Sequence, residues 1–166
     1  MDQAASNRSI TADERSVVAA LDRFATRPDV LAALRRAQGE ALEKLRQSPD
    51  LAATFVTLDP SGLGAAAPAA VGSIRVAVTR NTEGDGVERH ANSTQYLFAL
   101  DGPVETHVET EAGWRVDRYG RGDPAALEDR WHVVAPGVWH KSMAPGRRNW
   151  SVVAFHSARE VSDEYR

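Results

Sequence analysis

The sequence predicts a single, mainly β domain in which a pair of α-helices (residues 1–50) packs on a small antiparallel barrel (residues 51–166). In the first part, apolar residues recur at spacings of three and four, which is typical of amphipathic helices. In the second part, short β-branched and aromatic runs alternate with turn residues, as they do in antiparallel sandwiches and barrels. A chain of 166 residues can bury one core but is too short for two ordinary domains.

Two helices are expected at the start of the chain. Thr11 and Glu14 have the spacing of a capping box, which predicts a helix over residues 12–25. Pro28 suits the first turn of a second helix. We expect that helix to end near Gln47, because Ser-Pro-Asp follows it.

The strands are predicted from their composition and from the turns between them. The run from Ser73 to Arg80 alternates apolar and polar side chains, which is typical of a half-buried strand. The other runs are β-branched and aromatic. The full set of predicted strands is 54–58, 73–80, 96–100, 104–109, 114–119, 131–135 and 150–155.

Composition narrows the possible functions. The net charge of −3, with both signs intermixed, argues against nucleic acid as a partner. No apolar run approaches the length that spans a bilayer, and residues 1–16 lack a signal-peptide core, so we expect a cytoplasmic protein without membrane contact. The chain has no cysteine, so any metal must be held by histidine, carboxylate, amide or water.

Two stretches contain the residues best suited to chemistry. In residues 84–102, His90 and Asn92 are two apart and would share one face of a strand. Gln95 has the opposite parity and reaches the same cavity only if the chain bends before it. His140, which follows a Pro-Gly turn in residues 135–140, would enter from a neighbouring strand.

These stretches resemble the two sequence motifs of the cupin superfamily, which are small jelly-roll barrels. The first motif, Gly, His-x-His, Glu and a closing Gly, corresponds to Gly84, His90, Asn92, Gln95 and Gly102. The second motif, Pro-x-Gly-x-x-His, corresponds to residues 135–140, with Pro shifted by one position. The resemblance covers residues 72–157. The sequence departs from the pattern where Asn92 stands for a histidine and Gln95 for a glutamate.

The resemblance implies a cupin-type double-stranded β-helix that binds a divalent transition metal such as Fe, Mn, Ni or Zn. His90, Gln95 and His140 would be its ligands, with Asn92 as a further possibility. The chain is also similar to the 4-hydroxylaminobenzoate lyases, which release ammonia from an aromatic acid. We therefore expect a metal-dependent lyase acting on a small aromatic carboxylate.

Several residues near the motifs are candidates for contact with that substrate. Glu88 is a possible general base, and Tyr96 is a second catalytic candidate. Four further residues are candidates for binding an aromatic carboxylate: Arg75, Phe98, Trp139 and Lys141. We interpret His107, His132 and His156 as core or rim residues rather than ligands.

Two alternative functions remain open from the sequence. One is an Fe(II)-dependent dioxygenase, because the same open ligand set also binds dioxygen. The other is a non-catalytic barrel that binds a small molecule, which the weakened ligand set favours. Edge strands and apolar helix faces need covering, so a homodimer is also expected.

Overall fold

The computed structural model describes residues 10–64, 66–80, 86–120, 126–144 and 149–166. Its two helices have the predicted bounds: α1 spans Ala12–Ala25 and α2 spans Pro28–Gln47. The capping box is present, because the Glu14 N–H donates to Thr11 Oγ1 and the Thr11 N–H donates to Glu14 Oε2. Gly84, the predicted first residue of the cupin motif, lies outside the described residues. No helix among the described residues is both long and apolar enough to cross a membrane.

In the described part of the chain, ten strands form two five-stranded antiparallel sheets. The first sheet has the order β1-β2-β9-β4-β7, and the second has the order β10-β3-β8-β5-β6. All seven predicted strands are found, with end residues shifted by at most one position. The bounds are β1 Ala53–Leu58, β2 Ser73–Thr79, β3 Glu88–His90, β4 Gln95–Asp101, β5 Val104–Thr110, β6 Gly113–Tyr119, β7 Trp131–Val134, β8 His140–Met143, β9 Trp150–His156 and β10 Asp163–Tyr165.

The inner strands of the first sheet, β4 and β9, are buried on both faces. One face packs against the helices, where Phe98 and Phe155 join Leu21 and Leu34 in a single apolar core. The opposite face meets the second sheet and forms the barrel interior. That interior cluster is formed by Leu97, Val104, Tyr119, Val134, Ala144, Trp150, Val152 and Ala154. Successive side chains along β4 and β9 therefore point alternately into the core shared with the helices and into the barrel interior.

Three strands of the second sheet were not predicted: β3, β8 and β10. They are three or four residues long and consist largely of polar residues. Strand β3 pairs with β10 over Glu88 to His90 and with β8 at a single position, Glu88 opposite His140. This corner of the barrel positions the candidate site.

Candidate metal centre

Glu88, His90 and His140 converge at one end of the barrel. Glu88 and His90 are two apart on β3 and share a face, and His140 lies directly opposite Glu88 on β8. One ligand atom from each residue lies within 4.8 Å of the others. Glu88 Oε1 is 3.5 Å from His140 Nε2 and 3.7 Å from His90 Nε2. Donors bound to one ion at about 2.1 Å are themselves separated by roughly 3.0–3.5 Å, so this spacing fits a shared metal.

The hydrogen bonds of the two imidazoles fix which nitrogen is available to a metal. His140 Nδ1 lies 3.0 Å from the Val138 carbonyl, which can only accept, so Nδ1 carries the proton. His90 Nδ1 lies 2.8 Å from Asp163 Oδ1. Both Nε2 atoms are buried and have no hydrogen-bond partner among the described residues. An imidazole that donates through one nitrogen and presents the other as a bare lone pair is the usual form of a metal ligand.

Asp163 links His90 to a second charged group. Its carboxylate accepts from His90 on one side and from Arg75 at 2.9 Å on the other. Burial would raise the pKa of Asp163, but its hydrogen bonds and charge interactions with Arg75 and His90 together hold that pKa below its usual value. The carboxylate is therefore ionised and orients the imidazole.

His156 and Gln95 approach the same corner from the first sheet. They are cross-strand partners on β9 and β4, and their side chains face the barrel interior with those of Ala154 and Leu97. The His156 ring packs perpendicular to that of His90, with ring centroids 4.7 Å apart. His156 Nε2 and Gln95 Oε1 are both buried without a hydrogen-bond partner in the described part of the chain.

Burial favours the neutral form of His90 and of His156. It lowers the pKa of His90, and the neighbouring His140 lowers it further, while Glu88 and Asp163 act in the opposite direction. Burial also lowers the pKa of His156 to about 3, assisted by His90 and Arg75. Neutral imidazole is the form that binds a metal.

Asn92 does not face the cluster. The chain turns at residues 91–92, and both ends of the Asn92 carboxamide are engaged. Its Nδ2 donates to the Glu160 carbonyl, and its Oδ1 accepts from the Ser162 N–H. The same turn separates β3 from β4, so Gln95 begins a strand of the other sheet. The side on which Gln95 lies relative to His90 therefore cannot be read from the alternation along one continuous strand.

The predicted substrate and catalytic residues fall in three different places. Tyr96 and Phe98 lie on the helix-facing side of β4, in the core shared with α1 and α2. Trp139 and Lys141 lie on the outer face of the second sheet, where the Arg89 guanidinium is 4.6 Å from the Trp139 ring centroid. Arg75 lies beside the metal cluster, paired with Asp163.

The three remaining predictions concern His107, His132 and His156. His107 is on the outer face of β5, since Thr106 and Val108 face inward. His132 is buried against the Tyr119 ring, 3.8 Å from Asp117. His156 lies within the candidate site rather than in an unrelated part of the core.

Sequence reasoning missed Glu88 as a partner of His90 in a metal site. The two-residue period of a strand applies in both directions, so Glu88-x-His90 is as good a pair as His90-x-Asn92. The spacing of Glu88 and His90 in the sequence therefore contained this information. Asp163 and His156, by contrast, are brought to His90 only by the pairing of distant strands.

Comparisons with known structures support the fold. No known family and no curated protein matches the sequence. A structure of oxalate decarboxylase from Bacillus subtilis at pH 4.6 is similar, with a TM-score of 0.53 and 10% identity over 69% of this chain and 28% of the other. A second structure of this enzyme, from work on its Mn(II) centres, has a TM-score of 0.54 and 10% identity over 70% of this chain and 28% of the other. This chain thus spans under a third of the length of oxalate decarboxylase.

A further similar structure comes from Thevetia peruviana latex. It is peruvianin-I, described as a cysteine peptidase, with a TM-score of 0.50 and 17% identity over 69% of this chain and 65% of the other. The present chain contains no cysteine, so no thiol chemistry can be carried over. With its two antiparallel sheets, this chain has a jelly-roll fold like that of these structures.

Proposed function

We propose that this protein is a metal-dependent cupin enzyme in which Glu88, His90 and His140 bind the ion. The observation that carries the proposal is the convergence of two bare imidazole Nε2 atoms on the Glu88 carboxylate. A buried polar atom without a partner costs folding free energy, and a bound metal would satisfy both nitrogens together. In this assignment Gln95, expected from the sequence to be a ligand, belongs to the wall beside the ion.

The donor set indicates the class of metal. Two imidazoles and one carboxylate suit Fe(II), Mn(II), Ni(II) or Zn(II) and leave coordination positions open. When bound, such an ion would act as a Lewis acid and as a template for substrate oxygens or nitrogens. The protein's own contribution is to hold three ligands on two short paired strands and to exclude water, since His90 and His140 are buried.

Metal analysis of two matched histidine variants tests the proposal. The wild-type protein is expected to hold close to one divalent ion per chain, and His140→Ala is expected to lose most of it. His107→Ala is the control, because His107 lies on the outer face of the neighbouring strand β5. Absence of stoichiometric metal from the wild type, or equal loss in both variants, would contradict the assignment.

For the reaction, we propose a lyase of the hydroxylaminobenzoate type acting on a small aromatic carboxylate. The sequence resemblance supports this, as do the apolar residues that flank the ligands inside the barrel. Val108 is the cross-strand partner of His140, and Val134 that of Gln95. Apolar walls of this kind suit an aromatic ring. The expected result is ammonia release from 4-hydroxylaminobenzoate under strict anaerobiosis, lost on chelation and in His140→Ala.

The two-histidine, one-carboxylate set favours a second candidate, an Fe(II)-dependent dioxygenase. Oxygen consumption by the Fe(II)-loaded protein with aromatic acids, and no turnover without oxygen, would favour this candidate over the lyase. Ligand binding without turnover under either condition would instead favour a non-catalytic binding protein.

A further inference from the structure

We propose that Gln95 and His156 form a neutral hydrogen-bonding subsite that receives an O–H or N–H group of a carboxylate bound at the metal. This inference rests on the proposed metal centre. The subsite is the part of the barrel wall that the first sheet contributes, opposite the ligand strands β3 and β8.

Both side chains carry polar atoms that the protein itself does not satisfy. Gln95 is 5% exposed and His156 is fully buried. Gln95 Oε1 and His156 Nε2 have no hydrogen-bond partner among the residues that the structure describes. Each such atom costs folding free energy unless something pairs with it. The two residues are cross-strand partners, and the His156 ring packs against that of His90. The pair therefore indicates a place where a ligand supplies the missing bonds.

The surroundings of His156 indicate which kind of group it can bind. Ser93 Oγ donates its only hydrogen to the Thr94 carbonyl at 3.1 Å and accepts from the Ala158 N–H. Ser93 Oγ also lies 3.4 Å from Ser157 Oγ and 3.5 Å from His156 Nδ1. With its hydrogen on the Thr94 carbonyl, the contact with His156 is a hydrogen bond only when the proton is on Nδ1, and we assign that tautomer to His156. His156 Nε2 is then an acceptor, as is Gln95 Oε1. The matching ligand group is a hydrogen-bond donor.

The charges of this corner limit the ligand further. Arg75 lies on the same face of β2, beside β9, but its guanidinium is already paired with Asp163. Gln95 carries no charge, and His156 accepts through Nε2 only as a neutral ring. A second carboxylate of the ligand would thus meet two acceptors and no free cation from these residues, which is unfavourable in a buried site. The ligand class is a carboxylate with one anionic group and a neighbouring hydroxyl or amino group.

Two small probes separate this proposal from simple anion binding. Glycolate and methoxyacetate offer the same carboxylate and an adjacent oxygen, but only glycolate has an O–H to donate. Affinities are measured from the water-proton relaxation of the Mn(II)-loaded protein. We expect His156→Phe and Gln95→Leu each to weaken glycolate binding about tenfold, and methoxyacetate binding less than about twofold.

Each variant keeps the approximate shape of the side chain that it replaces. His156→Phe keeps a ring against His90, Gln95→Leu keeps a similar volume, and both are checked for Mn(II) stoichiometry. Thr106→Val is the control, because its hydroxyl is also buried in the barrel but bonds to Tyr119 and Ser142. Wild-type protein without stoichiometric Mn(II) would overturn the metal centre and the subsite with it. Normal Mn(II) uptake with both probes weakened equally, or neither weakened, would overturn the subsite alone.

Discussion

His156 has a protonated form that the folded protein strongly disfavours. The ring is fully buried beside His90, and burial is the first cause of its depressed pKa, which is about 3. In the unfolded chain a histidine titrates near 6.5. The folded state therefore binds this proton more weakly than the unfolded state over the whole interval between the two values.

Because the folded state binds this proton more weakly than the unfolded state, the metal-free protein should lose stability in acid. Stability linked to His156 is fully present above pH 6.5 and falls as the pH drops toward 3, by up to about 1.4 kcal/mol per pH unit. Denaturant unfolding of chelated protein across this range should show the loss. His156→Phe should have a shallower slope than the wild type, the remaining slope reflecting His90 and His107, whose pKa values are also lowered. Identical slopes would show that His156 is not buried as a neutral ring.

At the level of single residues, the sequence identifies His90 and His140 but assigns the wrong surroundings to His90. Strand parity alone does not say on which side of His90 its partner lies. The deciding fact is that the chain turns at residues 91–92, which removes Asn92 from the strand and leaves Glu88 on it. Asn92 is a residue that turns favour, but Ala91 is not, and the sequence around them does not locate the turn. The turn is stabilised by the Asn92 bonds to residues 160 and 162, which are distant in sequence.

At the level of elements, β3 depends on β10. Three residues of β3 are registered against Asp163 to Tyr165, whereas β8 contributes one registered pair. Asp163 also holds the His90 ring through Nδ1. The neighbouring Glu164 lies on the other face of the same strand and pairs with Arg89. Asp163 therefore orients a proposed metal ligand, whereas Glu164 pairs with Arg89 on the other face of the strand.

This difference predicts the behaviour of two matched variants. Asp163→Asn should weaken metal binding about 10- to 100-fold, because loss of the carboxylate that orients a ligand imidazole has an effect of this size. Glu164→Gln, one residue away and half-buried on the other face of the strand, should leave metal affinity within about threefold of wild type, since its ion pair is with Arg89 rather than with a ligand. Competition with a calibrated chelator measures both. Equal affinities in the two variants would remove Asp163 from the site.

The predicted elements and the missed ones differ in length and polarity. Both helices and seven strands have apolar patterns long enough to be recognised. The three missed strands have three or four residues and carry polar side chains on their inner face, where a hydrophobic pattern would ordinarily be. Those polar residues form the candidate site, so the chemistry itself removes the signal that would have marked these strands.

At the level of the whole molecule, the helices and the barrel share one core. Asp22 on α1 accepts hydrogen bonds from Arg130 and from Trp131 Nε1, and Arg35 on α2 pairs with Asp101 at the end of β4. The apolar cluster that includes Phe98 and Phe155 continues into both helices. A homodimer and a cytoplasmic location stay predictions of the sequence.

We expect the helices and the barrel to unfold together. Helix content followed by far-UV circular dichroism and barrel packing followed by tryptophan fluorescence should give coincident denaturant transitions. Asp22→Ala should shift both midpoints downward by the same amount, because it removes the acceptor of the buried Trp131 N–H and an ion-pair contact of Arg130. A helical transition that precedes the barrel transition would contradict a shared core.

The pairing of β3 with β10 also has a consequence for the order of folding. Asp163 and His90 are 73 residues apart, and the loop between them contains most of the barrel. Contacts of such long range pay their loop-closure entropy before they contribute stability, so they form late. The metal ligands on β3 reach their final positions only when this closure is complete. Uptake of the ion during refolding should therefore follow a slow structural phase, and the metal acts as a reporter of this closure.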